Sequence, residues 1–385
     1  MDFAILGDDP PTRLLAEAIL RSRQHRLVLA CELGSEFGAM VRAAPGVELA
    51  SNWEALIGAP AIDAVIVAGG GNEDLRAEQL RKLAQAGTAM LVAHPVHSSL
   101  LIYYELDMIR QDSGCRLVPI LPTRLHPAVR RIADVTASGE SEWGAIQQVV
   151  IERAVADHSA AHVLNHFARD VDLAAAICGD LTEISAMTSL GASGDYANLG
   201  VQMAGSSAVV ARWSVAGVEP SETARLTVRG QRGHASIEMP ADGSPWKWTA
   251  IVAGETAEEV FPDWDPAAAV LDHFSQTLEG DDPHPTWHDA LRAMELADSI
   301  EISLRRGRTI QLHHGQASEE GTFKGMMASA GCGLLMLALL VSVAGLLLMW
   351  LEVPGAWAWP YVILAMFMSF LLLQLLKLAF ARDGE

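Results

Sequence analysis

The chain has 385 residues, enough for about two domains, because one core rarely serves beyond ~250–300 residues. Its 27 Lys and Arg against 47 Asp and Glu leave a formal net charge of −20, which argues against nucleic acid, since a phosphate backbone needs a basic face. Cys31, Cys115, Cys178 and Cys332 are scattered among apolar neighbours with no C-x-x-C pair, a pattern of packed, reduced thiols rather than a disulfide frame.

The N-terminus opens with "MDFAILGDD", without the basic and long apolar regions of a signal peptide. "FAILG" (Phe3 to Gly7) predicts a first strand, followed by a helical pattern through Leu14, Leu15, Ala18, Ile19 and Leu20. "RLVLACE" (Arg26 to Glu32) is the next strand, then a short helix around Trp53 to Ile57, a strand in "AIDAVIVAGGG" and a helix through Glu78 to Gln85. "AMLVAHP" and "RLVPILP" complete the series. Strands alternating with helices at this spacing imply an α/β, doubly wound parallel sheet with ligands at the strands' carboxyl ends.

The loop after the first strand is "GDDPPTRL". A dinucleotide fingerprint is G-x-G-x-x-G, whose glycines let backbone N–H groups approach the pyrophosphate. Only Gly7 stands where such a glycine should; Asp8 and Asp9 bring negative charge, and Pro10 and Pro11 remove two donors. Glu32, at the end of the second strand, suits a ribose diol and favours NAD over NADP. The competing reading is a Rossmann-like domain in which Asp9 or Thr12 simply caps the helix.

In the second half, "GAIQQVVIERA", "LTEISAMTSL", "LGVQMAG", "SAVVARWSVA", "TARLTVRG" and "GHASIEMP" are β-type runs separated by turn residues. Between the first two, "DHSAAHVLNHFARDVDLAAAICG" spaces His158, His162 and His166 four apart, with Asp170 one turn further. If helical throughout, all lie on one face. Eight residues of helix span ~12 Å, so the three imidazoles cannot share one ion, although an i,i+4 pair could; no metal site is assigned here.

The tail is different in kind. No charged residue occurs between Lys324 and Glu352, nor between Glu352 and Lys377. Each run exceeds the ~20 apolar residues that cross a bilayer, and "VPGAWAWPY" supplies a turn with interfacial aromatics. The reading is a transmembrane hairpin with spans at about 328–351 and 360–380, following a linker at 315–324. Arg305, Arg306, Arg308 and Lys324 before it, and Lys377 and Arg382 at its end, predict both ends cytoplasmic by the positive-inside tendency. The expected location is therefore the cell membrane, multi-pass with two spans, the soluble domains cytoplasmic.

Several segments in order resemble the Gfo/Idh/MocA family, the glucose–fructose oxidoreductase and inositol dehydrogenase group. "NWEALIGAPAIDAVIVAGGG" resembles the segment ending in a nicotinamide-side loop, here Gly69 and Gly70. "AEQLRKLAQAGTAMLVAHPV" resembles the helix and strand that normally end in Glu-Lys-Pro, "PTRLHPAVRRIADVTASGE" the following R-x-x-P segment, and "WHDALRAMELADSIEISLRRGRTIQL" the helix that returns to the first domain. The resemblance covers roughly residues 1–312. It implies a Rossmann-like NAD(P)-binding domain at 1–122, then an α+β substrate and dimerisation domain at 123–314 with an open, mostly antiparallel sheet and a returning helix at 286–304. The tail at 325–385 follows. One sheet face would be available for a homo-oligomer.

Carried across residue by residue, the family's Glu-Lys-Pro becomes Ala93, His94 and Pro95, and its Asp-x-Gly-x-His-x-x-Asp helix becomes Asn165, Phe167, Arg169 and Asp172. Arginine cannot release a proton near neutral pH, and a ring at Phe167 should crowd the pocket. The implied cofactor contacts are Gly7, Asp8, Glu32, Gly69, Gly70 and Pro95, for NAD or NADP. The implied catalytic positions are His94, His166, Arg169 and Asp172.

The histidine row then has three readings: a metal-binding pair, a remodelled acid/base site using His94 or His166, or a polar pocket without hydride transfer. At the level of function, one reading is a membrane-tethered NAD(P)-dependent oxidoreductase acting on a sugar- or cyclitol-like molecule. The other is a non-catalytic binding or scaffolding protein, a pseudoenzyme on the same fold.

Overall fold

Six parallel strands form the first sheet: β1 (Asp2–Leu6), β2 (Arg26–Cys31), β3 (Glu48–Ala50), β4 (Ala64–Val67), β5 (Ala89–Ala93) and β6 (Leu117–Ile120), in the order β3-β2-β1-β4-β5-β6. Between them run α1 (Pro10–Arg21), α2 (Ser35–Ala43), a 3-10 turn at Trp53–Leu56, α3 (Glu73–Gln85) and α4 (Leu100–Ser113). The computed structural model describes residues 1–59, 62–138, 141–188, 195–205, 207, 209–215, 222–280, 283–312, 341–345, 347–351 and 360–361.

Alternation along the strands assigns the two faces. Phe3, Ile5, Ala64 and Ile66 pack with Leu15, Ala16 and Ile19 of α1, whereas Ala4, Leu6, Val65 and Val67 pack with Leu80, Leu83 and Ala84 of α3. Burying each leucine or isoleucine contributes ~1.5–3 kcal/mol, so the pattern fixes which helix covers which face. Leu14 and Leu20, expected on the buried side of α1, are exposed. The chain reverses direction of winding between β1 and β4, the crevice where doubly wound sheets bind ligands.

The second half begins with α5 (Pro122–Leu125), α6 (Pro127–Ser138), β7 (Ile146–Arg153) and α7 (Ala160–Cys178). Strands β8 (Leu181–Met187), β9 (Gly200–Gly205), β10 (Val210–Val215), β11 (Thr223–Gly230), β12 (Gly233–Pro240), β13 (Trp246–Val252) and β14 (Glu255–Phe261) follow, then α8 (Pro266–Glu279), α9 (Trp287–Arg306) and β15 (Ile310–Gln311). The sheet order is β14-β13-β12-β11-β7-β10-β9-β8-β15, with β7 and β10 parallel and the other pairs antiparallel. The Rossmann-like parallel sheet followed by a mixed sheet is the α/β part of the expected fold class.

Two helices from the second half complete the first. Val270, Leu271 and Phe274 of α8 join the core on the α1 face, where Phe274 lies 6.0 Å from Phe3 between ring centroids. The α9 helix starts at a capping box formed by Thr286 and Asp289, which satisfies two orphan amides. Trp287 of α9 stacks on Tyr103 of α4 at 5.2 Å, the expected return to the first domain.

Contacts divide the chain into two units, Met1–His313 and His314–Glu385. In the second, residues 341–345 and 347–350 are helical, and Leu347, Leu348, Met349 and Trp350 are exposed. Among the described residues no helix is long and apolar enough to cross a membrane. The linker expected at 315–324, Cys332 and most of the two expected spans lie outside the described residues; Cys31, Cys115 and Cys178 are free and buried.

Candidate functional site

At the crevice, Gly7 adopts φ +90° and donates its N–H to the Cys31 carbonyl at 3.0 Å. A Cβ there would lie 2.5 Å from Arg76 Nη2, so only glycine lets the guanidinium pass. Arg76 and Gln79 come from α3 and are buried. Arg76 donates to Gln79 at 2.9 Å, Gln79 donates to Glu32 at 2.6 Å, and Arg76 Nη2 lies 3.5 Å from the other Glu32 oxygen. The carboxylate that would receive a ribose diol is already held by this pair.

Asp8 is turned aside. Arg13 grips its carboxylate at 2.6 and 3.1 Å, and the Gly34 amide donates to it at 3.0 Å. The Arg13 hydrogen bond holds its pKa below the usual value. Asp9 caps α1, accepting the Thr12 amide at 2.7 Å with Oδ1 and the Gly69 amide at 2.7 Å with Oδ2.

A pyrophosphate is held by amides at this helix N-terminus, and Asp9 stands where the fingerprint needs its second glycine. A carboxylate that takes one amide of that helix and one of the loop after β4, and adds charge of the ligand's own sign, does not fit a dinucleotide. Pro10 and Pro11 offer no amide in exchange. Gly70 has φ +77° with open space around it. On the nucleoside side a depression of about 360 Å³ remains, lined by Glu32, Gly34, Arg42 and Ala50 among others.

At the end of β5, His94 precedes a cis bond to Pro95. Its Nε2 lies 3.2 Å from the Ala168 carbonyl and its Nδ1 3.5 Å from the Tyr103 hydroxyl. Burial pushes its pKa down to about 3, so the imidazole is neutral near pH 7 and a poor base. Arg169 donates from Nε to the His94 carbonyl at 3.0 Å. The structure thus joins His94 and Arg169, as the resemblance implies, but seals the histidine.

The histidine row divides. Asp157 takes both the amide and hydroxyl of Ser159 at 2.8 and 2.7 Å, and α7 begins only at Ala160. His158 therefore stands outside the helix, its Nδ1 3.4 Å from the Tyr196 carbonyl. His162 and His166 remain on α7 and meet Glu222. Burial, then the charge of Arg153, lowers His166 to about 4. Asp170 faces the second sheet, bound by Arg153 and by the Trp213 indole N–H at 3.0 Å.

Phe167 does not crowd the pocket. It is fully buried, its ring edge-on to Trp213 at 5.3 Å, because the apolar face of α7 turns it into the core. Asp172 is drawn to Arg124 at 2.5 Å, which also reaches Asp289 at 3.2 Å. Burial raises Asp172 to about 6. This ion cluster borders a cavity of about 310 Å³ that also includes His284, His288 and Arg292. Sequence reasoning assigned no role to Arg76, Gln79, Arg124 or Glu222, although Gln79 and Arg124 lay in quoted motifs.

A doubly wound sheet is followed by a nine-stranded mixed sheet, with α7 meeting the end of β5, an α/β arrangement of the Rossmann type. Residues 2–119 match the Gfo/Idh/MocA family model, an oxidoreductase family with an NAD-binding Rossmann fold. No curated protein sequence matches the chain.

Among solved structures, an aldose-aldose oxidoreductase from Caulobacter crescentus is 18% identical, with 81% of this chain and 99% of that chain covered and a TM-score of 0.69. A myo-inositol dehydrogenase from Corynebacterium glutamicum is also 18% identical, covering 81% and 99%, with a TM-score of 0.64. An oxidoreductase from Agrobacterium radiobacter, solved with NAD+, L-tartaric acid and magnesium, is 13% identical over 81% and 98%, with a TM-score of 0.66. These likenesses show the fold. The match of residues 2–119 to an NAD-binding family supports a nicotinamide cofactor, with which the filled seat at Asp9 disagrees.

Proposed function

We propose that this chain is a Gfo/Idh/MocA-type protein held at a membrane, keeping the oxidoreductase fold as a binding or scaffolding body without hydride transfer. Asp9 carries the reading: its carboxylate takes the Thr12 and Gly69 amides where the fold offers amides to a pyrophosphate. The residues beyond it agree. His94 is buried and neutral, and Arg169, at the family's histidine position, exchanges no proton near pH 7.

Membrane attachment is supported by the two charge-free runs between Lys324 and Lys377 and by their basic outer flanks. On that reading the two soluble domains face the cytoplasm. The net charge of −20 disfavours nucleic acid as a partner, and the open sheet offers a face to a second copy.

The test is turnover. The full chain, purified in detergent, is incubated with NAD or NADP and with myo-inositol or glucose, and reduced nicotinamide is followed by absorbance. The expected rate equals that of the protein-free control. Saturable turnover supports the second reading, an NAD(P)-dependent oxidoreductase acting on a sugar- or cyclitol-like molecule, which the match of residues 2–119 favours. That reading requires Asp9 to leave the amides it holds.

A further inference from the structure

We propose that His162, His166 and Glu222 form a binding site for a divalent transition-metal ion of the zinc type. The two histidines lie one turn apart on α7, and Glu222 enters sixty residues later, at the start of β11. Its backbone is fixed there by the Ala241 amide, which donates to the Glu222 carbonyl at 3.0 Å.

Three side chains converge, with two imidazole nitrogens facing the two oxygens of one carboxylate. The two Nε2 atoms are 3.1 Å apart, His162 Nε2 is 3.0 Å from Glu222 Oε1, and His166 Nε2 is 3.5 Å from Glu222 Oε2. Nitrogen and oxygen ligands bound to zinc at 2.0–2.2 Å in a tetrahedron are separated by about 3.3–3.6 Å. The observed separations of 3.0 to 3.5 Å come close to that spacing, so one atom from each of the three side chains can reach a common ion.

Proton counting points the same way. Two Nε2 atoms carry at most two hydrogens, while an ionised Glu222 carries none, so three short gaps cannot all hold a proton. A cation at the centre satisfies all three atoms at once. The donor set of two imidazoles and one carboxylate selects zinc-like ions over magnesium or calcium, which prefer oxygen.

The site is reachable. The His162 and Glu222 side chains are 33% and 31% exposed, while His166 is 10% exposed and anchors the inner side. That leaves a fourth position open to water or an anionic ligand, as in sites with three protein ligands. Arg153, whose charge acts on His166, is paired with Asp170. The inference is independent of whether nicotinamide binds.

The experiment uses the full chain in detergent, stripped with a chelator and titrated with zinc or cobalt(II). The expected result is one ion per chain, a cobalt visible spectrum of tetrahedral type, and an affinity loss of roughly tenfold or more in His162→Gln and Glu222→Gln. His158→Ala, outside the site, should bind as the parent does. Absence of stoichiometric zinc binding by the parent chain overturns the proposal, as does binding that both variants leave intact. Circular dichroism of the metal-free variants separates lost ligands from lost folding, and the parent's cobalt spectrum decides independently of them.

Discussion

The Asp9 carboxylate accepts the Gly69 amide at 2.7 Å, tying the cap of α1 to the loop after β4 across the mouth of the first sheet. In a dinucleotide-binding protein of this topology, that gap is bridged by the ligand's phosphates. Here a side chain bridges it, and the same carboxylate supplies the helix cap.

Asp9→Gly should therefore act in two directions. Glycine keeps most of the capping value, within a few tenths of a kcal/mol, but loses the charged bond to Gly69, so stability should fall by about 1–2 kcal/mol. Nicotinamide affinity should rise at least tenfold. Chemical denaturation and a thermal-shift titration read the two effects separately; an unchanged affinity would show that the carboxylate is not the obstacle.

Replacing Phe167 with the glycine that the family helix carries should not restore chemistry. The ring is packed on Trp213 in the core, and truncating a buried phenylalanine to alanine costs ~3–5 kcal/mol, with ~1 kcal/mol more for glycine inside a helix. Urea unfolding of Phe167→Gly should show a loss of that size. A near-neutral result would place the ring in open space instead.

Acid should destabilise the fold well above the usual carboxylate range. Burial lowers His94 to about 3 and His126 to about 4, whereas in the unfolded chain each titrates near the ordinary value of 6.5. The unfolded state therefore binds more protons, and their contribution is lost as pH falls below 6.5, by about 2 kcal/mol per histidine at pH 5. Asp172 works in the opposite sense: raised to about 6, it favours the fold increasingly as pH falls from 6 toward 4. Two histidines against one carboxyl leave a net loss. Melting temperatures measured from pH 7 to pH 5 should fall, and His126→Gln should flatten the slope.

For the tail, a reporter fused after Glu385 should report cytoplasm and one inserted at Gly355 the opposite side. Truncation after Gly321 should give a protein that stays in solution without detergent. Both reporters on one side would remove the hairpin.

Much of the scaffold was legible because its strands are largely apolar runs: β2, β4, β5 and β6 fall within the segments read as strands, and β1 overlaps its segment from Phe3. The α4 helix was not, since Leu101 and Met108 are exposed and blur its period. The β14 edge strand, "ETAEEVF", is exposed along almost its whole length and carries no alternation. At the site, the disabled loop at Asp8 and Asp9 was visible, but its replacement was not. Arg76 and Gln79 are polar residues of α3, and only the fold shows them buried beside Gly7 and Glu32. Glu222 has no local spacing to His162 that a sequence could reveal. His158 was misplaced because a two-residue Asp157–Ser159 contact delays the helix by half a turn.

The most direct measurement is a thermal-shift titration of the parent chain with NAD, NADH, NADP and NADPH. A ligand that binds the folded state must raise its stability by mass action, about 2.7 kcal/mol at a hundredfold excess over Kd. With Asp9 in the pyrophosphate seat and Glu32 held by Gln79 and Arg76, no form should shift the melting temperature at millimolar concentration. A saturable rise at micromolar concentration of any one of them would contradict the account.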